Sequence, residues 1–182
     1  MFFAFRTTLL ASLLFAGAMP EYTESGAVRF PADYREWVFL SSGLGMTYGP
    51  TAQASSSPLF DSVFVNPSAW AEFKKSGKWP DGTMFILEVR RSVSEGSINR
   101  GGHFQGEIAG IEASVKDTKR FPGNGWAYFS FGGKGTVTEA NALSTKSSCY
   151  GCHSANGAVD NTFVQFYPTA MPIARAKGTF RP

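Results

Sequence analysis

Charge is scarce in this sequence. Asp, Glu, Lys and Arg make up 17% of the 182 residues, and the net charge is only +3. No dense Lys/Arg block accompanies that small excess, so the chain carries no electrostatic footprint for nucleic acid, and no nucleic-acid partner is expected. Cysteine and histidine are scarcer still, at two residues each. A four-ligand zinc site would therefore have to draw on Cys149, Cys152, His153 and His103 together. Long apolar runs are missing as well, because the best of them, Leu9–Phe15, is too short to span a bilayer. What the chain does hold is aromatic material, 15% of all residues including 17 Phe and 4 Trp. That is ample for one packed core and excludes intrinsic disorder. With 20 Gly and 10 Pro, the sequence is too punctuated for a bundle of long helices and suits short strands joined by turns. One predominantly β domain is the expectation.

Residues 1–18 read as a secretory signal: Arg6, then the apolar run from Leu9 to Phe15, then Ala16-Gly17-Ala18 as a small-residue cleavage site. A retained membrane anchor is the competing reading. Export to the periplasm, with no membrane attachment after cleavage, is the expectation. Residues 19–29 are polar and unpatterned, a flexible lead-in to a domain over 30–182.

Within that domain, Pro31–Trp37 suggests a helical turn leading into a strand at Trp37–Leu40, and Ser41–Pro58 reads as a long loop. Ser62–Val65 is a second strand. Asn66-Pro67 opens a helix that runs to about Lys75. Asp81-Gly82 turns the chain into Thr83–Arg90, the strongest strand signal, with Met84, Ile86 and Glu88 on one face and Phe85, Leu87 and Val89 on the other. Phe104–Val115 gives one or two strands. Trp126–Phe131, aromatic on both faces, is either central or packed against something large. Val137–Leu143 is a short helical candidate.

Both cysteines fall in Cys149-Tyr150-Gly151-Cys152-His153, the attachment pattern for c-type haem. Two thiols three residues apart on one turn can each add to one haem vinyl group, and His153 then stands ready to bind the iron. Two other readings compete. A dithiol redox pair shares the spacing but favours the start of a helix in a βαβ context, whereas this motif lies late in a strand-rich chain; the zinc site is the second. If haem is bound, a sixth iron ligand could come from Met171, His103, Met46 or Met84, although an open or water-filled position is the stronger expectation.

Several blocks in order carry a family resemblance: Tyr34-Arg35-Glu36-Trp37, Val63-Phe64-Val65 with Asn66-Pro67, Gly77–Thr83, Glu112–Asp117 with Arg120-Phe121, Trp126–Phe129, Cys149–His153 and Phe163–Pro168. Together they resemble the cytochrome P-460 and cytochrome c′-beta family over roughly residues 30–170. The resemblance implies a mainly antiparallel β (α+β) domain with a few short helices packing one c-type haem, a homodimeric state, and five-coordinate iron held by His153. Members like cytochrome P-460 oxidise hydroxylamine, some also nitric oxide, and cross-link a lysine to the haem. The matching position here is Leu87, which has no nitrogen to form that bond. Such enzymes also use a pocket carboxylate, for which Glu88 and Glu112 are the candidates. Members like cytochrome c′-beta lack the cross-link and line the distal side with aromatic groups. Here Phe85, Leu87, Phe64, Phe104 and Phe129 are the candidates for that wall. The expected partner is nitric oxide or a hydroxylamine-like molecule, with a soluble redox partner if electrons are exchanged.

Overall fold

Strand alternation builds the main sheet. The computed structural model describes residues 19–48, 56–133 and 137–182, so the signal expected over 1–18 lies outside the described residues. Five antiparallel strands lie in the order β2 (Val38–Leu44), β3 (Leu59–Val65), β4 (Met84–Val93), β5 (Phe104–Lys116) and β6 (Trp126–Ser130). Each strand pairs with its sequence neighbour, the simplest route for a chain rich in turns. The fold is thus mainly antiparallel β, with three short α-helices among the described residues: α1 (Pro67–Ser76), α2 (Ser148–Asn156) and α3 (Met171–Ala176).

The sheet separates two apolar layers. Phe85 on β4 lies opposite Val65 and Ser114, and Leu87 lies opposite Val63 and Glu112. Because faces alternate, these residues share one side. Phe85 there joins Phe73, Trp79, Trp126, Tyr128 and Tyr167 in a core closed by α1, α2 and α3. On the other side Met84 and Ile86 join Tyr34, Trp37, Ile111, Ala113, Phe129 and Phe131. The expected split of β4 between its two faces therefore holds. Phe73 stacks on Trp79 with ring centroids 3.9 Å apart, and Phe85 meets Trp79 edge-on at 4.8 Å.

Local chemistry accounts for α1. Pro67 occupies its first turn, where a missing N–H costs nothing, and Gly77 ends it with φ of 71°, a left-handed conformation suited to glycine. The Asn66 side chain joins the helix entrance to β4, since its Oδ1 accepts from the Met84 N–H at 2.9 Å and its Nδ2 donates to the Gly82 carbonyl at 3.0 Å.

Three local expectations need correction. Residues 19–29 are patterned after all: β1 (Val28–Arg29) pairs with β7 (Glu139–Ala140), and Val28 is fully buried. That pairing also replaces the helix expected over Val137–Leu143 with extended backbone, because Ala140 is needed opposite Val28. Ser41–Leu44, read as the start of a loop, continues β2, with Ser41 opposite Val63 and the Ser42 and Ser62 hydroxyls 3.1 Å apart across the pair. Of the two alternatives for Trp126–Phe131, the second holds: β6 is an edge strand, and Trp126, Ala127, Tyr128 and Phe129 are all buried because both its faces are packed.

Candidate functional site

α2 carries Cys149, Cys152 and His153 over the face of the sheet that bears Phe85 and Leu87. Between helix and sheet lies a cavity of about 320 Å³. Its floor is the sheet, with Ser41, Gly43, Asp61, Val63, Phe85, Leu87, Glu112, Ser114 and Tyr128; its roof is Cys149, Cys152 and His153, with Phe163, Phe166 and Tyr167 closing one side. The helix has no buried residue of its own, so it is held over the cavity by a few aromatic contacts. Tyr128 meets Tyr150 edge-on with ring centroids 4.8 Å apart, and the His153 ring lies 4.5 Å from Tyr128 and 4.4 Å from Phe163.

His153 is poised as a ligand. Its Nδ1 lies 2.8 Å from the Asn161 carbonyl oxygen. With Nδ1–H donating there, Nε2 keeps its lone pair free. Burial pushes the imidazole pKa down, partly offset by the Asn161 carbonyl, which favours the neutral form that a metal needs. Both cysteines are free thiols.

Haem fits this donor set. Two unpaired thiols and an imidazole converge on the roof of an apolar cavity, and the buried hydroxyl of Tyr128 has no hydrogen-bond partner among the described residues. A buried hydroxyl left unpaired costs free energy, and a polar edge of a bound group would relieve it. The zinc reading gains nothing, since among the described residues no three His, Cys, Asp or Glu side chains cluster as a metal site. His103 lies on exposed backbone before β5.

The cavity sorts the remaining candidates. Phe85 and Leu87 line it. Phe64 does not: it pairs with Ile86 and so faces the opposite layer, against Tyr34 and Phe39. Phe104, opposite Val93 at the far end of the β4–β5 hairpin, is 46% exposed and away from the cavity. Phe129 reaches the cavity edge, but its ring packs against Phe121 in the opposite layer. Of the carboxylates, Glu112 lines the cavity and Glu88 does not. Glu88 is buried on the opposite face, bound by Arg90 at 2.5 Å, Arg35 at 2.6 Å and the Tyr34 hydroxyl. Burial alone would raise its pKa, but the hydrogen bonds from Arg90, Tyr34 and Arg35 outweigh burial and hold it below the ordinary value. Among the possible sixth ligands only Met46 lines the cavity. Met84 is buried in the other core, and Met171 opens α3 outside the lining.

Sequence reasoning missed Tyr128 and Asp61. Both were within reach of strand parity, because Phe85, Ser114 and Tyr128 are successive partners across three strands and Asp61 shares the face of Val63. Asn161 left no comparable trace, since its contribution is a backbone carbonyl.

A strand-rich domain whose late Cys-x-x-Cys-His helix roofs an apolar cavity has the organisation of a haem protein. The chain matches the family model Cytochrome P460 over residues 31–164 and belongs to the cytochrome P460 family, which brings haem as its cofactor. No match was found among curated proteins.

Proposed function

We propose that this is an exported, periplasmic mono-haem c-type cytochrome that binds nitric oxide or a related small nitrogen-oxide ligand, with the iron five-coordinate through His153. The observation that carries the proposal is the cavity itself, in which His153 and both thiols stand at one side and Phe85, Leu87 and Val63 line the sheet. Cys149 and Cys152 would hold the haem as thioethers, and His153 would bind its iron. When bound, haem supplies a redox-active metal with one position free for a small molecule. Phe85, Leu87 and Val63 exclude water from that space and favour an uncharged diatomic, because charged or strongly hydrated ligands lose their hydration on entry. Asp61 and Glu112 add a bias against anions, for among the described residues the lining holds these two acids and no lysine or arginine.

A second reading, hydroxylamine oxidation, is favoured by one residue. Glu112 lines the cavity floor with its pKa raised by burial, so it could take a proton from a substrate held there. Leu87, in the position matching the cross-linking lysine, weighs against it. Titrating the haem-loaded protein with nitric oxide while following its absorption bands, alongside steady-state turnover of hydroxylamine with an artificial acceptor, separates the two. Saturable nitric oxide binding without turnover is expected; bands that ignore nitric oxide would defeat the first reading.

A further inference from the structure

The carbonyl that holds His153 belongs to an unusual turn. Val159 and Thr162 pair as an antiparallel bridge, with the Thr162 N–H donating to the Val159 carbonyl at 2.8 Å. The two residues between them both have positive φ, 48° at Asp160 and 59° at Asn161. Positive φ at both central positions is the signature of a type I′ turn, a conformation that Asp and Asn tolerate better than other residues with a side chain. Two ties from distant parts of the chain hold it in place. The Trp79 indole N–H donates to Thr162 Oγ1 at 3.0 Å. Lys116, at the end of β5, forms an ion pair with Asp160 and also donates to the Trp79 carbonyl at 2.8 Å. The Lys116 and Asp160 side chains are only 15% and 29% exposed, so the pair is little screened by solvent.

We propose that the Lys116–Asp160 ion pair is a positioning device for the axial histidine. It keeps Asp160 and Asn161 in the left-handed region, and so keeps the Asn161 carbonyl within 2.8 Å of His153 Nδ1. A firm hydrogen bond there draws the Nδ1 proton toward oxygen and makes the imidazole a stronger donor to iron. Lys116 thus ties the ligand's electronic character to β5, the strand whose Glu112 and Ser114 line the floor of the same cavity. Neither residue touches the haem pocket, and both act only through the turn. The inference rests on His153 being the iron ligand.

The test is resonance Raman spectroscopy of the ferrous, haem-loaded protein, with its reduction potential measured in parallel, on wild type, Lys116→Met, Asp160→Asn and Lys116→Arg. Releasing the turn should shift the iron–histidine stretching band to lower frequency and raise the potential in both Lys116→Met and Asp160→Asn, and Lys116→Arg should restore both. Either charge-removing variant suffices if the other fails to accumulate. A wild-type band and potential in both, even with a lower melting temperature, would mean that the ion pair supports the fold alone and would overturn the inference. A wild-type protein with no iron–histidine band would overturn the underlying ligand reading together with it.

Discussion

Replacing Glu88 by Gln tests how the sheet divides its two faces. Glu88 is nearly buried, at 4% side-chain exposure, and faces Arg90 at 18% and Arg35 at 53%. The Arg35 half resembles a surface pair and contributes at most about 1 kcal/mol. Arg90 is different, since losing Glu88 leaves its guanidinium mostly buried with the Gly106 carbonyl, 2.7 Å away, as its remaining partner among the described residues. Breaking a fully buried pair costs roughly 3–5 kcal/mol. Glutamine can still accept a hydrogen bond and Arg35 is half in water, so a loss of about 2–3 kcal/mol is expected. At about 2–4 °C per kcal/mol for a domain of this size, the melting temperature should fall by roughly 4–12 °C. The loss also has a pH signature. The Glu88 pKa is depressed in the folded state, so its contribution is fully present above the ordinary carboxylate value and disappears as pH falls through the lower folded value. Thermal denaturation of wild type and variant should therefore differ near neutral pH and converge in acid. The absorption spectrum and nitric oxide response should not change, because Glu88 faces away from the cavity. An unchanged melting temperature at neutral pH, or an altered haem spectrum, would refute this placement.

Other perturbations probe the cavity and its supports. Phe73→Ala removes a fully buried ring stacked on Trp79 and should cost roughly 3–5 kcal/mol in denaturant unfolding. Glu112→Gln removes a carboxyl whose pKa is raised by burial; the wild type should lose stability relative to this variant as pH rises through that elevated value, while the difference is constant below the ordinary carboxylate range. Met46→Leu should leave the spin state of the iron unchanged by optical spectroscopy, since the position opposite His153 is read as open.

Much of this arrangement was legible in the residues themselves. The alternation of Met84–Arg90 correctly assigned both faces of β4, and Asn66-Pro67 marked the start of α1. Parity was not carried across the sheet, however, which is why Phe64 and Phe129 were placed beside Phe85 although register puts Val63 and Tyr128 there. Glu88 and Glu112 looked equivalent as sequence, and only the partners across β4 and β5 separate them. β1 and β7 were hidden because two-residue strands carry no detectable period, and their pairing depends on contacts over a hundred residues apart in the chain. Asp160-Asn161 is a dipeptide suited to a type I′ turn. Its tie to Lys116 comes from tertiary structure alone.

The central claim is that His153 holds the iron of an attached haem with the opposite position free. Electron paramagnetic resonance of the oxidised protein, matured with the c-type haem attachment machinery, tests it most directly. A high-spin ferric signal, changed in shape when His153 is replaced by Ala, is the predicted result. A low-spin signal from iron with two strong axial ligands would contradict the account.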